Sequence, residues 1–399
     1  MHLPHVALTC ALALTPLAGC GDDGGGGSGA CELVGEPHAL PYPWLAGFDV
    51  AALGDTFVVV VATEDGDVVG YTIGADGALS GPTELELGRG QVHMTSRAGE
   101  VLAQSFPTSW QLDGPRLARF DGASWSYETG AAFTDPGLAT RGAALVATPD
   151  RVTVGWVDGV STADAFTADW SGGALGAASP ALADVDELSG YSLHLDYDTA
   201  GALHMAAIGT AGGQRGLVHA TRDASGTWGA TSFVGTTPGA LQNIVVTGLA
   251  ADPTGGVWLA EVHESDFFDE TTGGLTVWRD DGAGATKVGT VADDRVVVEG
   301  LSLGALEDGR LVASASWGEN NFDAAQSRDE VALYLCGATG GCGRATTLDG
   351  RRGVFYEKTR LATSGTSGVA VWAWATKGEG SIEAMTAQRF ICPGASSAE

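Results

Sequence analysis

Short bursts of aliphatic and β-branched residues, each introduced by a Gly/Asp-rich turn, recur along this chain about every 45 to 60 residues. The first reads Leu53-Gly54-Asp55-Thr56-Phe57-Val58-Val59-Val60-Val61, and the second Arg97-Ala98-Gly99-Glu100-Val101-Leu102-Ala103. Thr148–Trp156, Asp198–Ala206, Asp252–Ala260, Glu307–Ala313 and Gly365–Trp372 continue the series to seven copies. After most copies a second hairpin follows with its own aromatic, as in Arg119–Trp125, Thr221–Trp228 and Trp278–Gly282. Each unit thus offers about four short strands joined by Asp/Gly turns, residues that suit the positive-φ positions of tight hairpins. No long apolar pattern of period 3.6 is present, so the fold is expected to be all-β. A four-stranded sheet has two apolar faces and cannot hide both alone. Arranging such sheets radially buries each against its neighbours, which predicts a β-propeller of seven four-stranded blades. A six-bladed ring with one long insertion and a pair of β-sandwiches are the competing architectures.

One unit carries a resemblance in its letters. Leu193 to Trp228 contains an Asp/Gly turn, the strand Leu203-His204-Met205, and the turn Asp223-Ala224-Ser225-Gly226-Thr227-Trp228. It resembles a blade of the sialidase-like or BNR-like propellers, departing by one residue from the usual Asp-box spacing. The other six units match in pattern only. The resemblance implies architecture over most of residues 40–392 and does not extend to activity. A sialidase needs several arginines converging on a carboxylate and a nucleophilic tyrosine, and the arginines here are scattered.

The ends of the repeat region fit a closed ring. The seventh unit runs through Val369–Trp374 and Glu383–Phe390 and lacks an outer strand, which Glu32–Tyr42 can supply. Four cysteines fall in this body: Cys31, Cys336, Cys342 and Cys392. An even count in an exported protein suggests two disulfides, for which three pairings exist. Cys336 and Cys342 flank a Gly-rich turn and can close it locally, leaving Cys31 for Cys392. That second bridge would lock the ring, with a loop-entropy stabilisation of up to about 4–5 kcal/mol.

Ahead of the repeats, Val6–Leu17 is an apolar segment too short to span a bilayer as a helix, and it fits a cleaved secretory core. The following Leu17-Ala18-Gly19-Cys20 resembles the lipobox of bacterial lipoproteins, which implies lipidation of the Cys20 thiol and loss of Cys10 with the leader. Gly21-Asp22-Asp23-Gly24-Gly25-Gly26-Gly27-Ser28-Gly29-Ala30 has almost nothing to bury. As a coil it would reach roughly 17 Å. The expected organisation is therefore a signal peptide over 1–19, a lipidated cysteine and tether over 20–30, and the propeller over 31–399. A lipid-anchored monomer at the bacterial cell envelope follows. Gly21 after the cysteine favours the outer membrane, by analogy with enterobacterial sorting.

Net charge changes the picture of partners. At −29, with 20 Lys+Arg against 49 Asp+Glu, the chain lacks the clustered cations that a phosphate backbone requires, which excludes nucleic acid. His93, His204 and His219 lie on expected strands and read as structural. No His-x-His or His-Glu-x-x-His spacing supports catalytic zinc. There is no Gly-x-Ser-x-Gly elbow and no phosphate-cradling loop between a strand and a helix. Two acidic, aromatic insertions stand out: Asp266-Phe267-Phe268-Asp269-Glu270 and Glu319-Asn320-Asn321-Phe322-Asp323. Oxygen-rich loops of this kind suit Ca2+, and aromatics amid acids suit a recognition rim. The expected function is a non-catalytic module that binds protein or glycan. A propeller-type carbohydrate hydrolase and a calcium-stabilised adhesion module are the alternatives.

Overall fold

A computed structural model describes residues 30–394, excepting 42, 64–66, 89, 107–115, 130–141, 159–163, 235–243, 264–272, 294–295, 319–328, 338–340, 352 and 377–381. Among these residues every regular element is a β-strand, and no helix is long and apolar enough to cross a membrane. β1 (Glu32–Leu40) stands apart from the strands that follow it. The first blade is β2 (Pro43–Leu53), β3 (Thr56–Thr63), β4 (Val68–Ile73) and β5 (Leu79–Leu85). The second is β6 (Gln91–Arg97), β7 (Glu100–Phe106), β8 (Arg116–Phe120) and β9 (Trp125–Thr129). The third is β10 (Ala143–Thr148), β11 (Arg151–Asp158) and β12 (Asp164–Ser171), with an outer edge split into β13 (Ala174–Leu175) and β14 (Ser179–Ala181). The fourth is β15 (Glu187–Tyr197), β16 (Leu203–Ala211), β17 (Gln214–Arg222) and β18 (Ser232–Val234). The fifth is β19 (Ile244–Ala251), β20 (Val257–His263), β21 (Gly273–Asp280) and β22 (Ala285–Asp293). The sixth is β23 (Val296–Ala305), β24 (Leu311–Gly318), β25 (Glu330–Gly337) and β26 (Gly341–Asp349). The seventh is β27 (Val354–Ser364), β28 (Ser367–Thr376) and β29 (Ile382–Ile391), completed on its outer edge by β1.

Each blade is antiparallel and runs in chain order, so its first strand is innermost. The seven inner strands contact one another in the closed order β2, β6, β10, β15, β19, β23, β27 and back to β2. This is the seven-bladed propeller expected from the repeats. The core is divided accordingly into seven clusters, one at each blade–blade interface. β3 shows why: Phe57, Val59 and Val61 pack toward the seventh blade, while Val58 and Val60 pack toward the second. A strand buried on both faces reads as a continuous apolar run rather than an alternation, which is how the bursts read in the sequence.

The turns repeat as well. Gly77, Gly201, Gly226, Gly255 and Gly309 each donate a backbone hydrogen bond three residues back, at φ between 80° and 117°. That left-handed conformation carries no Cβ penalty for glycine. Closure of the ring pairs β1 with β29, from Glu32 opposite Ile391 to Leu40 opposite Met385. Cys31–Cys392 fastens that seam and Cys336–Cys342 closes the β25–β26 turn. Arg389 bonds the carbonyl oxygen of Asp55, tying the last blade to the first.

Candidate functional site

An inner strand of a propeller is a sheet edge, and its outward backbone groups need partners. Side chains on these strands supply them by stitching one blade to the next. Asp49 Oδ2 accepts from Met94 N at 2.8 Å, and Asp196 Oδ2 from Ala251 N at 2.7 Å. Ser302 Oγ accepts from Leu361 N at 2.9 Å, while Thr363 Oγ1 donates to Ala305 O at 2.8 Å. Small polar side chains on the inner strands are therefore consumed in construction.

A second set of larger side chains lies on the same strands. His93 on β6, His194 on β15, and Lys358 and Arg360 on β27 are all half-buried around the axis. Lys358 falls where the β27–β28 register slips between Tyr356 and Thr359, and such a bulge re-aims the side chains around it. Thr359 is turned away into the sixth blade, where it bonds Ser314 Oγ at 2.6 Å. Arg360 lies over the Phe48 ring at 6.0 Å, with its Nε 3.8 Å from Asp49 Oδ1. Burial pushes the His93 imidazole down to about 3, and the charges of Arg360, His194 and Lys358 add to the effect. Burial and then Arg360 bring His194 down to about 4, against a hydrogen bond to the Thr247 backbone. Burial raises Asp49 to about 6 although Arg360 and two backbone N–H groups oppose it. Four basic groups from three blades thus act on one another across the axis, with Asp49 as the carboxylate among them.

Gln104 adjoins this set. It is the register partner of His93 and shares its face of the sheet. It is fully buried, and neither amide atom has a hydrogen-bond partner. Burying an amide in this way is costly unless something completes it.

The interface of the fourth and fifth blades holds two further polar groups. His204 Nδ1 meets His219 Nε2 at 3.0 Å, and the outer nitrogens face Asp198 at 3.3 Å and Asp280 at 3.5 Å. Higher along the same interface Glu261 is buried, its Oε2 unpartnered, and burial raises its carboxyl to about 8 against the opposing charge of Lys287. His263, one position further along that face of β20, is shifted down by burial and then by Lys287. Glu261 is too deeply enclosed to touch a substrate.

Of the residues singled out from the sequence, the four cysteines form the two expected bridges. His204 and His219 belong to a blade–blade contact, whereas His93 reaches the axis. Cys20 and both acidic insertions, Asp266–Glu270 and Glu319–Asp323, lie outside the described residues. Among the described residues no group of three or more His, Cys, Asp or Glu could hold a metal ion. Asp49, Gln104, His194, Lys358 and Arg360 escaped the sequence reading. The signal that could have found them is positional. Asp49, His93, His194 and Arg360 each sit a few residues upstream of a turn glycine, at Gly54, Gly99, Gly201 and Gly365, and so on an inner strand.

No protein-family model matches this chain, and no curated protein matches it. Solved structures do. A lectin from Burkholderia pseudomallei aligns with a TM-score of 0.58 at 11% identity, over 84% of this chain and 97% of its own. An ulvan lyase, described as a new family of polysaccharide lyase, gives 0.57 at 10% identity over 90% and 94%. The α-L-arabinanase of Penicillium chrysogenum gives 0.50 at 12% identity over 75% and 92%. At these identities the likeness is one of fold.

Proposed function

We propose that this chain is a non-catalytic β-propeller that binds glycan through the axial cluster, held at the bacterial cell envelope by a lipid on Cys20. The observation that carries the reading is the placing of His93, His194, Lys358 and Arg360 on inner strands around the axis, with Arg360 beside Asp49. Hydrogen-bonding groups gathered on one surface are what a sugar requires. The lectin and the polysaccharide-active enzymes of similar fold give this use of a propeller a precedent. Hydrolysis would need two carboxyl groups flanking a glycosidic bond; Asp49 is in place, whereas Glu261 is enclosed between blades. The binding reading is therefore preferred over the hydrolytic one.

The test is a thermal-shift screen of the full chain against a panel of oligosaccharides, with product analysis on every hit. A raised melting temperature with intact sugar supports a binding module. Shortened sugar would make it an enzyme. No shift with any saccharide would overturn the glycan reading and direct the search to a protein partner.

A further inference from the structure

Cys31 and Cys392 are fastened together at one end of the ring. Cys31 is bridged to Cys392, whose N–H donates to Thr366 O at 2.8 Å in the turn between β27 and β28. Arg310, in the turn between β23 and β24, donates to the carbonyls of Cys392 at 3.1 Å and Pro393 at 2.9 Å. The chain therefore enters and leaves the propeller beside the tight turns of the sixth and seventh blades.

The corresponding turns of the other blades lie at the same end. Hydrogen bonds between neighbouring inner strands join residues at similar distances from their turns. Ser96 Oγ donates to Ala52 O at 2.6 Å, Ala251 N to Asp196 Oδ2 at 2.7 Å, and Glu307 N to Gly365 O at 3.0 Å. These strands thus run in one direction, and the turns at Gly54, Gly99, Gly201, Gly255, Gly309 and Gly365 share one end of the ring. The opposite end carries the β16–β17 turn, where Gly212 N donates to Asp186 Oδ2 at 2.8 Å. A strand of nine residues such as β17 sets the two ends about 30 Å apart.

We infer that the turn-bearing end of the propeller faces the membrane and that the opposite end is the surface offered to an external glycan. This rests on the lipid anchor at Cys20 proposed above. Ten residues separate Cys20 from Cys31, and a Gly-rich coil of that length reaches roughly 17 Å. Turning the ring over would require it to run past the height of a blade, about 30 Å, which is close to its fully extended length. Such extension would cost most of its chain entropy. The turn end also exposes Asp55, Asp76, Asp121, Asp150, Asp223 and Asp308. Anionic headgroups repel these carboxylates, but the field decays over about 8 Å in physiological salt, so a body held roughly 17 Å away stands clear of it. A glycan then approaches from the outer end. His93, the third residue of β6, lies nearer that end than the Gly99 turn.

The test uses the full chain made in a bacterium that processes lipoproteins, then carried into phosphatidylcholine vesicles containing a fluorescent lipid acceptor. Arg215→Cys and Ala224→Cys place a thiol at exposed positions toward opposite ends of β17. With Cys20 acylated and the remaining four cysteines in disulfides, each variant carries one free thiol for the donor dye. Both should keep the parent melting temperature. Energy transfer to the lipid is expected to be at least about twofold stronger from Ala224→Cys, which would stand about 30 Å nearer the headgroups. Equal transfer from the two, or the reverse order, would overturn the inference and leave the anchor standing. A chain that stays out of the vesicles with Cys20 open to the dye would remove the anchor and the inference together.

Discussion

His204 Nδ1 lies 3.0 Å from His219 Nε2 with the two rings parallel to within 3°. Their outer nitrogens face Asp198 and Asp280, so four side chains form one line across the fourth and fifth blades. Burial and the neighbouring His204 bring His219 down to about 4, so neutral His219 accepts on Nε2 from His204 and faces Asp280 with its Nδ1–H. Replacing His219 by Leu strands the His204 donor and the Asp280 carboxylate. Chemical denaturation at pH 6 should show a loss of about 2–4 kcal/mol. A loss below about 0.5 kcal/mol would mean that the line is not a coupled unit.

Stability should peak near neutrality for an identifiable reason. His93 at about 3, and His194 and His219 at about 4, lie below the ordinary imidazole value of 6.5. The unfolded chain therefore binds more protons in that interval, and stability falls as pH drops from 6.5 toward 4. Asp49 is raised from 3.8 to about 6 and Glu261 from 4.5 to about 8. In these two the folded state keeps the proton longer, so stability falls as pH rises through the same ranges. The imidazoles set the acid limb and Glu261 the alkaline one, so the maximum falls between them. Glu261→Gln should abolish the alkaline limb, stabilising the protein at pH 8 by on the order of 3–5 kcal/mol with little change at pH 4. Urea titrations at a series of pH values measure both; an unchanged alkaline limb in the variant would show that Glu261 is ionised in the fold.

The two disulfides should contribute unequally. Cys31–Cys392 closes a separation of 361 residues and Cys336–Cys342 one of 6. Loop entropy assigns the first up to about 5 kcal/mol and the second about 2 kcal/mol. Cys31→Ser with Cys392→Ser should therefore lower the melting temperature more than Cys336→Ser with Cys342→Ser. The reverse order would mean that the β1–β29 seam holds the ring shut without its bridge.

Gly256 sits at φ +83°, and a Cβ there would fall 2.2 Å from the carbonyl oxygen of Asp280. Gly256→Ala must both adopt a left-handed backbone and displace the turn that holds Asp280 against His219. A cost of about 2–4 kcal/mol is expected by denaturant titration. Because both substitutions act on Asp280, combining it with His219→Leu should cost less than the two added together.

Most of the architecture could be read before the chain was folded. The run from Phe57 to Val61, the Asp198-to-Gly201 and Asp252-to-Gly255 turns, and the unpaired last strand near Phe390 are local signals. Strand, hairpin and missing edge follow from them because φ/ψ preference and two-sided burial act within a few residues. The splitting of the third blade's outer edge into Ala174–Leu175 and Ser179–Ala181 was not visible, since short edge strands bury little and leave a weak pattern.

The axial cluster belongs to the other kind of information. Asp49, His93, His194, Lys358 and Arg360 occupy four inner strands spread over most of the chain, and none stands in a motif with another except the Lys358–Arg360 pair. The sequence by itself determined the repeats, the ring they build and the cysteines that fasten it, because each depends on contacts between neighbouring units. Only the closed ring decided which polar side chains face one another. Closure brings the first, second, fourth and seventh blades to a common axis, and electrostatic reach there depends on distance through space rather than along the chain.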